Sequence, residues 1–60
     1  MSIIDEINQK VTELTALGLT DTDKVRNALS MALTMYPNRN PRLILQQAAV
    51  ALLNNHLKGA

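Results

Sequence analysis

Cysteine is absent from this 60-residue sequence, and histidine occurs once, as His56. A disulfide framework is therefore excluded, and a structural zinc site is disfavoured because such sites take four ligands, mostly cysteine and histidine. We expect neither a metal nor a cofactor. Nucleophilic catalysis is also disfavoured, since it needs an activated nucleophile beside a base and an orienting group. The sequence therefore predicts a protein that is not an enzyme.

Aromatic side chains are nearly absent as well: Tyr36 is the only one, although 47% of the residues are hydrophobic. An aliphatic core buries less area per side chain than a core with phenylalanine or tryptophan. A single domain of this size, residues 1–60, gains only about 3–5 kcal/mol from its core and usually depends on disulfides, a metal or oligomerisation. With the first two disfavoured, we expect self-association.

Long hydrophobic runs are also missing. The longest, Ala48–Leu53, is far shorter than the roughly 20 apolar residues of a membrane-spanning helix. The N-terminal residues lack the basic and apolar pattern of a signal peptide, and we expect a cytoplasmic protein without a membrane partner. Small cysteine-free helical oligomers recur among phage and plasmid accessory proteins. This is an analogy of size and general character only, and it gives no residue a role.

Apolar residues at helical spacing predict a first amphipathic helix over residues 3–17. Ser2 suits the N-cap of this helix, and Gly18 suits the left-handed residue that commonly follows a helix. In that arrangement Leu19 returns to contact Leu14. We therefore expect helix 1 to end in a glycine-dependent turn.

A second apolar stripe predicts helix 2 over residues 21–36, with Thr20 or Asp21 as its N-cap, ending at the proline that follows. Met31 and Met35 lie at helical spacing beside the inward-facing residues. We expect both in the core, because methionine commonly fills gaps there. An adaptable binding surface is the alternative.

Helix 3 is predicted over residues 41–58, with Asn40 as its N-cap and Pro41 at its first position. Its middle is apolar all round, which is typical of a helix buried on every side. Two short neighbouring helices cover only part of it, so we expect the remainder to meet a second copy. The fold class expected is all-α, a compact three-helix protomer that assembles into a homo-oligomeric helical bundle, a dimer or higher. The interface residues expected are Ala48, Ala49, Val50, Ala51, Leu52 and Leu53.

Charge is unevenly distributed along the chain. The net charge is +1, but residues 1–19 carry −2, residues 20–36 are neutral and residues 37–60 carry +3. The corner between helices 2 and 3 is therefore the candidate site for an anion, because it combines free backbone N–H groups, two guanidinium groups and an aromatic ring. A solvated polar loop is the alternative. The candidate ligand-binding residues are Tyr36, Asn38, Arg39, Asn40 and Arg42.

Helix 3 is roughly 27 Å long, so its two ends cannot share a ligand within one chain. If two copies pack this helix antiparallel, the C-terminal end of one chain approaches the corner of its partner, and the resulting basic junction would favour an anion. The alternative for the lone histidine is a structural role, because the helix dipole favours a cation in the last turn of a helix. The residues that the second protomer would contribute are Asn55, His56 and Lys58.

These patterns predict a non-catalytic, homo-oligomeric protein that sequesters a small phosphate-bearing, nucleotide-like ligand at the corner. The alternative is a protein–protein interaction module, an inhibitor or assembly factor, that acts through apolar helix surfaces. A DNA-binding three-helix domain is a weaker alternative. Helix 3 lacks the exposed basic and amide face of a recognition helix, and the six lysines and arginines are scattered, which disfavours duplex DNA.

Overall fold

Three α-helices form the chain in the computed structural model, which describes residues 2–59. Helix α1 spans Ile3–Ala16, α2 spans Thr22–Met35 and α3 spans Pro41–Gly59. Each helix begins and ends within one residue of its predicted position, and no strand occurs among the described residues. The predicted all-α, three-helix protomer is therefore confirmed, whereas its assembly stays a prediction.

Helix α1 begins and ends with the caps that the sequence predicts. The Ser2 hydroxyl accepts a hydrogen bond from a backbone N–H of the first turn at 3.2 Å. At the other end Gly18 has a φ of 109°, and its N–H donates to the carbonyl of Thr15 at 3.1 Å. The Leu19 N–H donates to the carbonyl of Leu14 at 3.0 Å. These two bonds form a Schellman motif, which satisfies terminal carbonyls and turns the chain towards α2.

Helices α2 and α3 each begin at a short polar side chain. Asp21 is the N-cap of α2, because its carboxylate accepts a first-turn backbone N–H at 3.2 Å. Thr20, the other candidate for this cap, lies one residue before Asp21. Asn40 caps α3 as predicted and accepts the N–H of Arg42 at 3.0 Å. Pro41 fills the first helical position, where its missing N–H costs no intrahelical bond.

Two contacts between α1 and α3 fix the topology. Lys10 Nζ donates to Gln46 Oε1 at 2.8 Å, and Arg42 Nε donates to Glu6 Oε1 at 2.5 Å. Both pairs are separated by 36 residues, so α1 and α3 run parallel. Two short turns reverse the chain, and α2 runs antiparallel to both. Each helix packs against the other two in an up-down-up bundle.

The core is narrow and entirely aliphatic. Among residues 2–59, only Leu29 and Leu45 are fully enclosed. The buried core residues are Val11, Leu14, Val25, Leu29, Ile44, Leu45 and Ala49. A partly buried ring packs around them, formed by Ile7, Leu19, Leu33, Ala48, Leu52 and Leu53.

The expectation that the two methionines of α2 fill the core is wrong. Met31 is 63% exposed and Met35 is 66% exposed. Met31 lies two residues after the buried Leu29, and at about 100° per residue it therefore projects from the opposite side of the helix. The apolar residues of α2 do recur at helical spacing, but α1 and α3 cover only about half of the surface of this helix.

The apolar middle of α3 is covered on one side only. Ala49 is buried and Val50 is 47% exposed; Ala51 is exposed as well. The other three residues of the segment, Ala48, Leu52 and Leu53, are half-buried against the core. Two apolar positions of α3 therefore face away from the protomer, on its α1 side and its α2 side.

We predict that Leu29→Ala unfolds the protein, whereas Met31→Ala does not. Truncation of a buried leucine costs about 2–5 kcal/mol, which matches or exceeds the stability of so small a domain. The methionine variant should stay within about 0.5 kcal/mol of wild type, since its side chain is exposed. Circular dichroism during urea unfolding, at one protein concentration, measures both. Similar losses in the two variants would contradict the burial described above.

We also predict that Gly18→Val destabilises the protein by more than a typical surface change. A side chain in the left-handed conformation costs about 1–2 kcal/mol. A Cβ here would also approach Nε2 of His56 at 3.1 Å. Gly18→Ala should show a smaller loss, and Gly59→Ala is the control because nothing lies within 4 Å of its Cβ. Thermal midpoints unchanged in both Gly18 variants would show that the strained turn is absent.

Candidate binding surfaces

The described surface presents exposed apolar side chains with charges beside them. No polar or charged side chain among residues 2–59 is buried. The same residues contain no group of three His, Asp or Glu side chains placed to hold a metal ion. None of the three helices is long and apolar enough to cross a bilayer within this range.

The protomer exposes more surface than its mass requires. Its accessible area is 4372 Å², whereas a folded monomer of 6.6 kDa exposes about 3,900 Å². Apolar side chains contribute to this exposed area. The large hydrophobic residues that are exposed are Ile3, Ile4, Leu17, Met31, Met35, Tyr36, Leu43, Val50 and Leu57.

An apolar depression between α1 and α3, the α1–α3 groove, has a volume of about 500 Å³. Leu17 at the end of α1 is 57% exposed beside it. Leu43, Val50 and Leu57 recur every seven residues along α3, and this spacing places them on one stripe of the helix beside the groove. The apolar residues that line the groove include Leu14, Leu17, Ala49, Val50 and Leu53.

The charges beside the α1–α3 groove are paired with one another. Lys10 Nζ lies 3.4 Å from Glu13 Oε2, and it also donates to Gln46 across the groove. Arg42 pairs with Glu6 lower on the same face. This face therefore carries two internal ion pairs and no net charge from them.

A second depression, the α2–α3 groove, has a volume of about 380 Å³. Tyr36 and Arg39 line one end of it. Met31 and Met35 do not line this groove; they lie in a separate depression on the surface of α2. Alanine side chains of both helices, Ala32, Ala48 and Ala51, line its middle.

One charged side chain, Arg39, lies at the lower end of the α2–α3 groove. Lys24 lies in a different depression, which Asp21 also lines. Lys58 follows Ala51 by seven residues, so it continues the stripe of Ala51 towards the end of α3. None of the three cations takes part in the ion pairs found within residues 2–59. The α2–α3 groove therefore carries a guanidinium group at its lower end.

The predicted anion-binding residues fall into two groups. Tyr36 and Arg39 line the α2–α3 groove. Arg42 lies on the other side of α3, beside the α1–α3 groove, where it pairs with Glu6. The Asn40 side chain is engaged as the α3 N-cap, and Asn38 is exposed in the turn. The structure thus brings one arginine and the tyrosine together and separates the second arginine from them.

The predicted second-protomer residues lie at the far end of α3. His56 and Asn55 border a shallow depression beside the turn between α1 and α2. The imidazole lies over Gly18, with Nε2 3.1 Å from the position of a Cβ there. Lys58 is exposed in the last turn. Within one protomer these side chains are a helix length away from Arg42.

Sequence reasoning missed Leu17, Leu43 and Leu57 as surface residues and Glu6 as the partner of Arg42. The seven-residue recurrence through Val50 was readable in the sequence and would have indicated the leucine stripe. The ion pair was not readable, because its partners are 36 residues apart and meet only through the parallel packing of α1 and α3.

Function is therefore inferred from the two grooves and their charges. The α1–α3 groove is largely apolar with internally paired charges, and the α2–α3 groove has Tyr36 and Arg39 at one end. Comparison of the chain with models of known protein families, with curated proteins and with solved structures gave no match.

Proposed function

We propose that this protein is a non-catalytic interaction module that self-associates through the α1–α3 groove. The observation that carries the proposal is the exposed apolar stripe of this groove, in which Leu17 and Leu57 are 57% and 62% exposed. A monomer of this size gains little from keeping such residues in water, and association removes them from it. The absence of cysteine and the single histidine in the sequence agree with a binding role.

A second copy is the occupant favoured by charge. The face carries the two ion pairs Lys10–Glu13 and Glu6–Arg42, so two copies meet without net repulsion from these groups. A twofold axis near Val50 would place Leu43 of one protomer opposite Leu57 of its partner, since both are seven residues from it. Antiparallel α3 helices also align their dipoles favourably.

The available area is sufficient for a specific dimer. A standard interface buries about 800 Å² on each partner, which is under a fifth of the 4372 Å² that the protomer exposes. Helix α3 has 19 residues and is therefore roughly 28 Å long. The proposed interface would use a stripe along this helix together with the end of α1.

The antiparallel dimer changes the expectation for the basic junction. Lys58 of one protomer would approach the N-terminal end of α3 in its partner. Arg42 is already paired there with Glu6 of its own protomer, so the junction is not a cluster of unpaired arginines. A bound anion is then not required to relieve repulsion at this junction.

We predict that light scattering at micromolar concentration gives at least twice the chain mass of 6.6 kDa. Val50→Asp should reduce the mass towards the monomer, because a charge buried in the interface is strongly disfavoured. Ala51→Asp is the matched control: it places the same charge on the next residue, which faces α2 instead. Leu52→Asp is not suitable as a test, since that side chain packs against the core and its charge should unfold the protomer.

Two outcomes would overturn the self-association proposal. One is a cooperatively folded wild-type monomer over the whole micromolar range. The other is an equal loss of mass in Val50→Asp and Ala51→Asp, which would place the interface elsewhere. Circular dichroism of each variant shows whether a loss of mass reflects dissociation or unfolding.

Capture of a phosphate-bearing ligand at the corner is a second candidate. The observation that favours it is that Tyr36 and Arg39 line the same groove, while Arg39 has no carboxylate partner among residues 2–59. The guanidinium group would contact phosphate and the ring would stack on a base. Arg42 is paired with Glu6 within the protomer, and this pairing reduces what the Arg42 guanidinium group can contribute to phosphate binding.

We predict that, if this second candidate is correct, Arg39→Ala abolishes nucleotide binding measured by calorimetry at low salt. Arg42→Ala should weaken it less, and Arg26→Ala, which removes an exposed arginine bonded to Asn8, should leave it unchanged. Binding should fall at high salt because phosphate contacts are screened. No heat with any nucleotide at low salt would remove this candidate and leave the interaction module.

A further inference from the structure

We infer that Met31 and Met35 form a binding site for a soft monovalent metal ion of the copper(I) type. This goes beyond the self-association proposed above, because the two methionines line a depression on α2 and not the α1–α3 groove. The two proposals can therefore fail separately. The inference depends on the spacing of the two thioether groups, on their exposure and on the uncharged surface around them.

The two methionines are neighbours on one face of α2. They are four residues apart within this helix, so their Cβ atoms are about 5–6 Å apart. Long side chains in a helix lean back towards the preceding turn, which brings the side chain of Met35 towards Met31. Both residues line the same depression, whose volume is about 460 Å³. Two flexible thioethers at this spacing can direct their sulfur atoms to one ion.

Both methionines are accessible from solvent. Met31 is 63% exposed and Met35 is 66% exposed, so neither side chain is committed to packing in the core. An ion can therefore reach the pair without any opening of the bundle. For the same reason, substitution of either methionine should leave the fold intact, which allows the site to be tested by mutation.

The surface around the pair favours a soft ion over a hard one. The other residues that line the depression are Asn27, Ser30 and Thr34, none of which is charged. The Thr34 hydroxyl donates to the backbone carbonyl of Ser30 at 3.1 Å. Calcium and magnesium take several oxygen ligands, commonly including carboxylates, and none lines this depression. Thioether sulfur is a soft ligand, and such ligands select copper(I).

Thioether ligands belong to a different class from those behind the expectation that the chain binds no metal. That expectation depends on the absence of cysteine and on the single histidine. Within residues 2–59 the structure likewise contains no group of three His, Asp or Glu side chains placed around an ion. Both observations concern nitrogen, thiolate and carboxylate ligands, and they leave a methionine pair open as a site.

Titration with silver(I) tests the site directly, because silver(I) shares the soft character of copper(I) and is not readily oxidised during the measurement. Calorimetry of the wild-type protein in chloride-free buffer should show binding. The methyl NMR signals of Met31 and Met35 should shift together. Copper(I), kept reduced with ascorbate, should shift the same two signals, whereas magnesium should shift neither.

Variants in which one methionine is moved test the spacing. Met35→Leu should weaken silver(I) binding by at least about tenfold, since even the loss of a group that only orients a metal ligand costs about 10–100-fold. Adding Asn27→Met to this variant restores a pair four residues apart and should restore binding. Adding Arg26→Met instead puts the sulfur about 140° around the helix from Met31 and should not restore it. Met1 is common to all these chains, so its contribution is constant.

Three outcomes would overturn the inference. Undiminished silver(I) binding by the double variant Met31→Leu/Met35→Leu would show that other donors hold the ion. Equal affinities of the two relocation variants would show that the spacing does not matter. Methyl signals of Met31 and Met35 that do not move with excess silver(I) would show that the pair is not a site. Circular dichroism checks that each variant is folded, and an unchanged oligomer mass separates this result from the self-association proposal.

Discussion

The enclosure of Leu29 and Leu45 between three short helices is the contact on which the rest of the structure depends. Helices of 14, 14 and 19 residues can surround only a narrow column of aliphatic side chains. Each helix therefore offers the core one stripe, while apolar residues beside that stripe remain in water. This limit places Met31 and Val50 outside, although both belong to strongly apolar segments. The exposed grooves are thus a direct result of the small size of the bundle.

Charge then distinguishes the two grooves of α3. On its α1 side the parallel packing brings Glu6 to Arg42 and Lys10 to Gln46. On its α2 side no acid of α1 is within reach, because that helix packs on the other flank. The arginines of the C-terminal third are accordingly divided between the two sides of α3, with Arg42 paired on the α1 side and Arg39 lining the groove on the α2 side. A single apolar helix thereby borders two grooves that differ in charge.

Local signals predicted most of the protomer. The Schellman turn at Gly18 and the caps at Ser2 and Asn40 each depend on residues a few positions apart, so the sequence contains all that determines them. The exposure of Met31 could not be predicted in this way, because periodicity indicates an apolar face but not how wide a face the neighbours cover. The separation of Arg42 from Arg39 likewise depends on where α1 packs. Arg42 is held on that side by Glu6, which is 36 residues away in the sequence, and no local pattern relates the two residues.

The parallel arrangement of α1 and α3 has a consequence for the order in which the molecule is built. Contacts between residues 36 positions apart form late, because closing a long loop precedes the gain from the contact. The helix pair α1–α2 is adjacent along the chain and has no such requirement. The α1–α3 groove therefore exists only once α3 has packed against α1, since Val50 and Leu53 of α3 form one of its walls. Until then the chain has no such surface, and the self-association proposed above would have no contact site.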